Sequence, residues 1–160
     1  MSVGIGVEIT GTEALSHLLT DVEKRGGNLA PVFRGPVDRL VTQMELMQFS
    51  TGGRFGGRPW APLRPATLAQ KARIHRAGMG TLRRFNTLWA SLVKSGGPMG
   101  VRAITATSYT RGTADAKAGF HQLGRGHNPV RQVIPDPLPL HVTNTIERLV
   151  RDYIEAGHAT

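Results

Sequence analysis

Apolar residues recur along this chain with two periods. Val3, Ile5, Val7 and Ile9 alternate with Gly4, Gly6 and Glu8, the period of two that marks a half-buried strand, and the run ends at Thr10-Gly11. Leu15, Leu18, Leu19 and Val22 then fall at helical spacing, so an amphipathic surface helix is expected from Thr12 to Gly26-Gly27. A longer helix is expected over about 30–50, where Phe33, Val37, Leu40, Val41, Met44 and Met47 recur every three or four residues and Pro36 either begins the regular part or bends it. Thr67 to His75 reads as a short helix. Leu82, Phe85, Leu88, Trp89 and Leu92 restore helical spacing up to the stop at Ser95-Gly96-Gly97-Pro98.

Beyond that stop, Val101, Ala103 and Thr105 alternate with Arg102 and Ile104, and Ser108 to Arg111 follows across a tight connection, which predicts a hairpin of open register. Ala114 to Leu123 is expected to be a short helix capped by Gly124. Residues 124–137 are polar and turn-rich around Val130, Val133 and Ile134, an extended loop. Thr143 to Ala156 predicts the last helix, with Ile146, Leu149, Val150, Tyr153 and Ile154 on one stripe and Thr143 or Asn144 as its cap. Together these elements predict one α+β domain, in which a small antiparallel β-sheet, made of the hairpin and the N-terminal strand, packs against the long helix and the C-terminal helix. Extended glycine- and proline-rich loops join the elements.

The most distinctive of those loops runs from Thr51 into the helix at 67. Glycines at 52, 53, 56 and 57 admit backbone angles closed to other residues, and prolines at 59, 62 and 65 then fix φ. Trp60 and Leu63 are the large apolar side chains of the stiff part and are expected to anchor it in the core, together with Leu88 and Trp89. Arg54, Phe55 and Arg58 lie on the glycine-rich part, which reads as a mobile arm.

Charge sharpens this picture. The net charge of +9 sits in the middle of the chain: no acidic residue occurs between Glu45 and Asp115, an interval that holds eleven Lys and Arg. A block of one sign repels itself unless a polyanion or an acidic neighbour meets it. The segment Thr51-Gly52-Gly53-Arg54-Phe55-Gly56-Gly57-Arg58 also has the glycine, arginine and aromatic composition of RNA-binding segments, so a basic nucleic-acid-binding protein is the alternative reading of the block. No cysteine is present, and the sequence carries no phosphate-binding loop, no Gly-x-Ser-x-Gly and no His-Glu-x-x-His. His121 and His127 have no carboxylate pair within obvious reach, and Asp115 and Asp136 lie in what read as solvated turns. A non-catalytic protein without cofactor or metal is expected. No apolar run approaches the length of a membrane span, so no membrane partner is expected.

Four motifs in order resemble one family. Phe55…Gly57-x-Pro59-Trp60-Ala61-Pro62-Leu63-x-x-x-Thr67-x-x-x-Lys71 is similar to the run that follows the long helix in the Mu-like and P2-like phage virion morphogenesis proteins, also called tail completion proteins. Leu82 to Leu92 resembles the family's leucine followed by Thr-Gly-x-Leu-x-x-Ser, with Phe85-Asn86 in place of Thr-Gly; asparagine tolerates the left-handed conformation that such a turn needs. Ala118-Gly119-Phe120-His121-Gln122-Leu123-Gly124 resembles Tyr-Ala-x-x-His-Gln-x-Gly, with Lys117 where the tyrosine stands, and Pro129-Val130-Arg131 resembles the family's Pro-x-Arg. Pro135-Asp136-Pro137-Leu138-Pro139 departs from the usual Phe-Leu-Gly-Leu-Ser before the last helix.

The resemblance implies a structural virion protein of a tailed bacteriophage that acts at the head-tail junction, as a neck or tail completion protein. Related connectors form homo-oligomeric rings, commonly hexameric, that DNA crosses. The partners it implies are other copies of the chain, neck proteins on the portal or adaptor side, and tail terminator or tail tube proteins, with genomic DNA in the channel. It places the protein in the virion, and in the host cytoplasm during assembly. In this reading Arg54, Phe55 and Arg58 on the arm, with His121 and Arg131, face a neighbour, while Trp60, Leu63, Leu88 and Trp89 hold the core.

Overall fold

The computed structural model describes residues 12–94 and 96–158. The strand expected over Val3 to Ile9 lies outside them. Among the described residues six helices and one two-stranded antiparallel sheet form an α+β fold: α1 (Thr12–Gly27), α2 (30–50), α3 (Pro65–Arg73), α4 (Thr87–Val93), β1 (Gly100–Ile104), β2 (Tyr109–Thr113), α5 (Ala116–Leu123) and α6 (Leu140–Ala156).

Helix α2 runs through Pro36 without breaking. Its first turn, Ala30–Val32, passes into a π-helical turn, Phe33–Val37, before the regular part, Asp38–Ser50. Pro36 has no N–H to donate, and widening the turn absorbs that loss: the Asp38 N–H reaches back to the Phe33 carbonyl, five residues away.

The two ends of α2 serve two apolar cores. Val32, Phe33 and Val37 pack with Tyr153, and with the half-buried Ile146, Leu149 and Val150 of α6 and Ile104 and Tyr109 of the hairpin. Phe49, at the other end, packs edge-on against Trp60, at 5.4 Å between ring centroids, over Leu88, Leu92 and Val133. The hairpin pairs Gly100 with Thr113 and Ile104 with Tyr109, and its tip is fastened to the start of α2 by the Leu29 N–H on the Ala106 carbonyl. Helix α1 packs on α6, where the Arg25 guanidinium donates to the carbonyls of Ile154 and Glu155, capping the negative end of α6 with a cation.

Two expected boundaries move. Helix α4 begins at Thr87 rather than near Leu82, because Leu82 and Asn86 both take positive φ, 62° and 58°, which interrupts a right-handed helix on either side of Phe85. Helix α6 begins at Leu140, ahead of Thr143, because Pro139 sits at its N-cap and its carbonyl accepts the N–H groups of Val142 and Thr143.

The glycine arm is folded rather than free. The N–H of Gly53 donates to the Gln48 carbonyl, that of Trp60 to the Gly52 carbonyl, that of Phe55 to the Thr51 hydroxyl and that of Gly56 to the Gln48 side-chain oxygen. Gly53 holds φ of +87°, and a Cβ there would stand 2.5 Å from the Arg58 carbonyl oxygen and closer still to the Trp60 ring. Gly57, at φ of +78°, faces open space. Gly53→Ala is therefore expected to cost at least about 2 kcal/mol and lower the melting temperature by roughly 4–8 °C, whereas Gly57→Ala should cost about 1 kcal/mol, backbone strain alone. Thermal denaturation of the two variants checks the difference; equal losses would mean that the tryptophan does not close over Gly53.

Candidate assembly surface

Long loops leave backbone groups to be satisfied without a strand or helix to do it. Here side chains do that work where two loops meet, 51–64 and 124–139. The Gln132 carbonyl accepts the Gln48 amide at 2.7 Å and the Trp60 indole N–H at 2.9 Å. The Arg131 guanidinium donates to the carbonyls of Ala61 and Pro62, at 2.9 and 3.1 Å. Gln122 accepts the N–H groups of Val133 and Ile134 on its side-chain oxygen and donates to the Ile134 carbonyl. Gly56 lies against Pro135, where a Cβ would come within 2.9 Å of the proline ring.

Trp60 and Leu88 are buried, and Leu63 and Trp89 are half-buried. Arg131 needs a correction: it is 5% exposed, and its guanidinium is spent on the proline turn of its own chain, so it is a brace between loops rather than a contact offered to a neighbour. His121 is half-buried on α5, with its Nδ1 enclosed and without a hydrogen-bond partner; burial, then the charge of Arg131, push its pKa down. Phe55 is half-buried and meets the His141 ring edge-on at 5.2 Å. Arg54 and Arg58 are exposed on the folded arm. The structure thus joins His121 and Arg131 on one side of the loop junction and sets the arm's two arginines on another.

A second polar cluster lies between the two cores. The Arg111 guanidinium on β2 reaches Glu45 Oε2 and Asp38 Oδ1, each at 2.9 Å, and also donates to the Leu92 carbonyl. Arg102 pairs with Asp38 Oδ2 at 3.0 Å, and the Tyr109 hydroxyl donates to Asp38 Oδ1. Burial pushes the Tyr109 hydroxyl up, as does the Asp38 carboxylate beside it. Two of the eleven central cations therefore meet acids from α2; the other nine form no ion pair among the described residues.

Sequence reasoning passed over Gln48, Gln132, Glu45 and Asp38. Their signal was position: Glu45 and Gln48 fall on the same helical face as Val41, Met44 and Phe49, where a polar side chain must find a buried partner. Asp115 also departs from expectation. It is buried at the N-cap of α5 and accepts the Lys117 N–H, a structural carboxylate rather than a solvated one. Among the described residues no three His, Asp or Glu side chains gather closely enough to hold a metal ion, and no helix is long and apolar enough to cross a membrane.

On the outside, Phe120 and Leu123 share a face of α5 and are both exposed; Val130 is exposed as well, and lies against the Gly124 backbone. These three make an apolar patch beside the loop junction.

Glu45 is 1% exposed, and its carboxyl pKa is pushed up to about 7 by burial, against the opposing pull of Arg111's charge and hydrogen bonds. Folding therefore takes up a proton at intermediate pH. The stability this contributes is full below pH 4.5 and is lost as pH rises to about 7. His121 acts in the opposite sense, adding stability as pH rises through its unfolded value. Urea denaturation of the native chain and of Glu45→Gln separates the two: between pH 4.5 and 7.5 the native chain should lose on the order of 1–3 kcal/mol relative to the variant. Parallel pH profiles would mean that Glu45 titrates as it does in the unfolded chain.

Comparison with protein-family models, with curated proteins and with solved structures finds no match to this chain.

Proposed function

We propose that this protein is a structural component of a tailed bacteriophage virion, a ring subunit at the head-tail junction that joins the DNA-filled head to the tail. One observation carries the reading: three residues from separate stretches of the resemblance to tail completion proteins, Trp60, Gln122 and Arg131, meet at the loop junction, and others hold local turns. Trp60 and Arg131 brace the two loops against each other, and Gln122 threads the second loop onto α5. Lys71 donates to the carbonyls of Met79 and Gly80, holding the turn after α3, and Asn86 takes the left-handed turn that opens α4. Trp60 and Arg131 lie 71 positions apart, and a chance likeness of letters gives no reason for the two to brace one junction.

Assembly as a ring is supported by the surface. Phe120, Leu123 and Val130 leave an apolar patch uncovered beside the junction, and Leu18 and Leu19 leave another on α1. The exposed Arg54 and Arg58 on the folded arm suit an acidic partner surface or the DNA in the channel. The neighbours in this reading are further copies of the chain, neck proteins on the head side, and terminator or tube proteins on the tail side.

Leu123→Asp tests the proposal without touching the core, since Leu123 is 58% exposed. The variant should melt within about 0.5 kcal/mol of the native chain. Particles assembled with it should show filled heads and separate tails by negative-stain microscopy, as should particles lacking the protein. Joined particles in the absence of the protein would overturn the reading. The alternative, a nucleic-acid-binding protein, predicts affinity for a labelled duplex that falls steeply between two ionic strengths.

A further inference from the structure

Helix α3, the turn that follows it and the start of α4 form one wall of a cleft of about 470 Å³; α5 and the loop after it form the other. That size suits a small organic ligand. Arg64, Lys71, Arg84, Lys117 and Arg131 line it, and no carboxylate does.

The cations here form no ion pair among the described residues. Lys71, 2% exposed, is held by the carbonyls of Met79 and Gly80, and Arg131 by those of Ala61 and Pro62. Neutral acceptors satisfy hydrogen bonds but leave the charge uncompensated in a partly dry site. Two lining residues also carry an enclosed nitrogen with no hydrogen-bond partner among the described residues, Arg84 Nε and His121 Nδ1, although Arg84 donates through Nη1 to Gln70 Oε1. Both nitrogens sit beneath the cleft's surface, where an anion bound above them is felt through its charge. The titration of the neighbours points the same way. Burial, and then an adjacent cation, push Lys71, His121 and Arg131 all downward, as expected where positive charge accumulates unanswered.

The rest of the lining says what shape the anion has. Leu63, Leu82 and Leu88 make an apolar side, and Phe85, 59% exposed at the rim, stands beside them with the Arg84 guanidinium 4.9 Å from its ring centroid. A bare inorganic anion would leave that side wet. A single carboxylate would meet only a fraction of the charge. A phosphate carries more charge and more acceptor oxygens, and an aromatic body attached to it covers the apolar side.

We propose that this cleft binds a nucleotide, with its phosphate among Arg64, Arg84 and Lys117 and its base against Leu63, Leu82 and Phe85. The nucleotide is either free or one unit of a single strand. The site belongs to one chain and does not depend on the ring reading.

Isothermal titration of the full chain with adenosine diphosphate, with a six-residue oligodeoxyadenylate, and with hexaglutamate at fixed ionic strength tests it. Nitrogen resonances of the His121 ring and of Arg84 Nε are followed in parallel. Saturable binding of adenosine diphosphate alone assigns the site to free nucleotide, and binding of the oligonucleotide, with or without the diphosphate, to a strand. In either case both resonances should shift. Arg84→Gln and Arg64→Gln should each weaken binding about tenfold or more. Arg64 is exposed and its side chain forms no hydrogen bond among the described residues, so Arg64→Gln should leave the melting temperature unchanged and separates lost binding from lost folding. The proposal is overturned if neither nucleotide probe binds, if binding leaves His121 and Arg84 unmoved or survives Arg64→Gln intact, or if hexaglutamate binds more tightly than both.

Discussion

One backbone carbonyl, that of Gln132, accepts two side-chain donors from segments far away in sequence, the Gln48 amide and the Trp60 indole. The fold depends on contacts of this kind because, among the described residues, its sheet has two strands and its loops are long. Where a larger sheet would satisfy loop backbone through neighbouring strands, this chain uses Gln48, Trp60, Gln122 and Arg131. Each is polar at one end and carries enough apolar stem or ring to be buried. The result is a rigid junction made largely of loops, set against the end of α2 and the start of α4.

The same helix organises the charges. Asp38 and Glu45 belong to the acidic flank of the sequence, and α2 carries them to β2, where Arg111 and Arg102 await them. The acid-free interval is thus partly neutralised from within. What remains includes exposed arginines on the arm, at the end of α3 and in the turn after it, and a small group turned into the cleft between α3 and α5. A block of one sign in sequence becomes three different environments in space, and net charge alone predicted none of them.

Periodicity made most of the helices legible, because the apolar stripes at 33–44 and 146–154 report burial directly, whereas the alternation at 101–105 gave the hairpin but not its faces: Val101 and Ala103 are exposed and Ile104 is the half-buried residue of β1. The start of α4 was not legible, since Leu82 and Phe85 fit helical spacing while the backbone at Leu82 and Asn86 turns left-handed. The asparagine was the better guide there. Trp60 was readable as an anchor because a tryptophan among prolines has little other use, yet its acceptor lies 72 residues away and no local pattern announces it. Arg131 was misplaced for a related reason: arginine in a polar loop reads as surface, and only the nearby carbonyls of Ala61 and Pro62 show that it is enclosed. The arm read as mobile from its glycines. They instead allow close approach, to Trp60 at Gly53 and to Pro135 at Gly56.

The distance between donor and acceptor in that junction also bears on how the chain reaches its fold. During synthesis, Trp60 and Gln48 leave the ribosome long before Gln132 is made, so for that interval the indole and the amide have only water as a partner. Contacts this remote close late, after the local helices have formed, because chain entropy opposes joining distant segments. The nascent protein thus passes through a stage in which α2 exists but its tryptophan lid has nothing to fasten to, and an apolar, arginine-rich segment is open to whatever stands nearby.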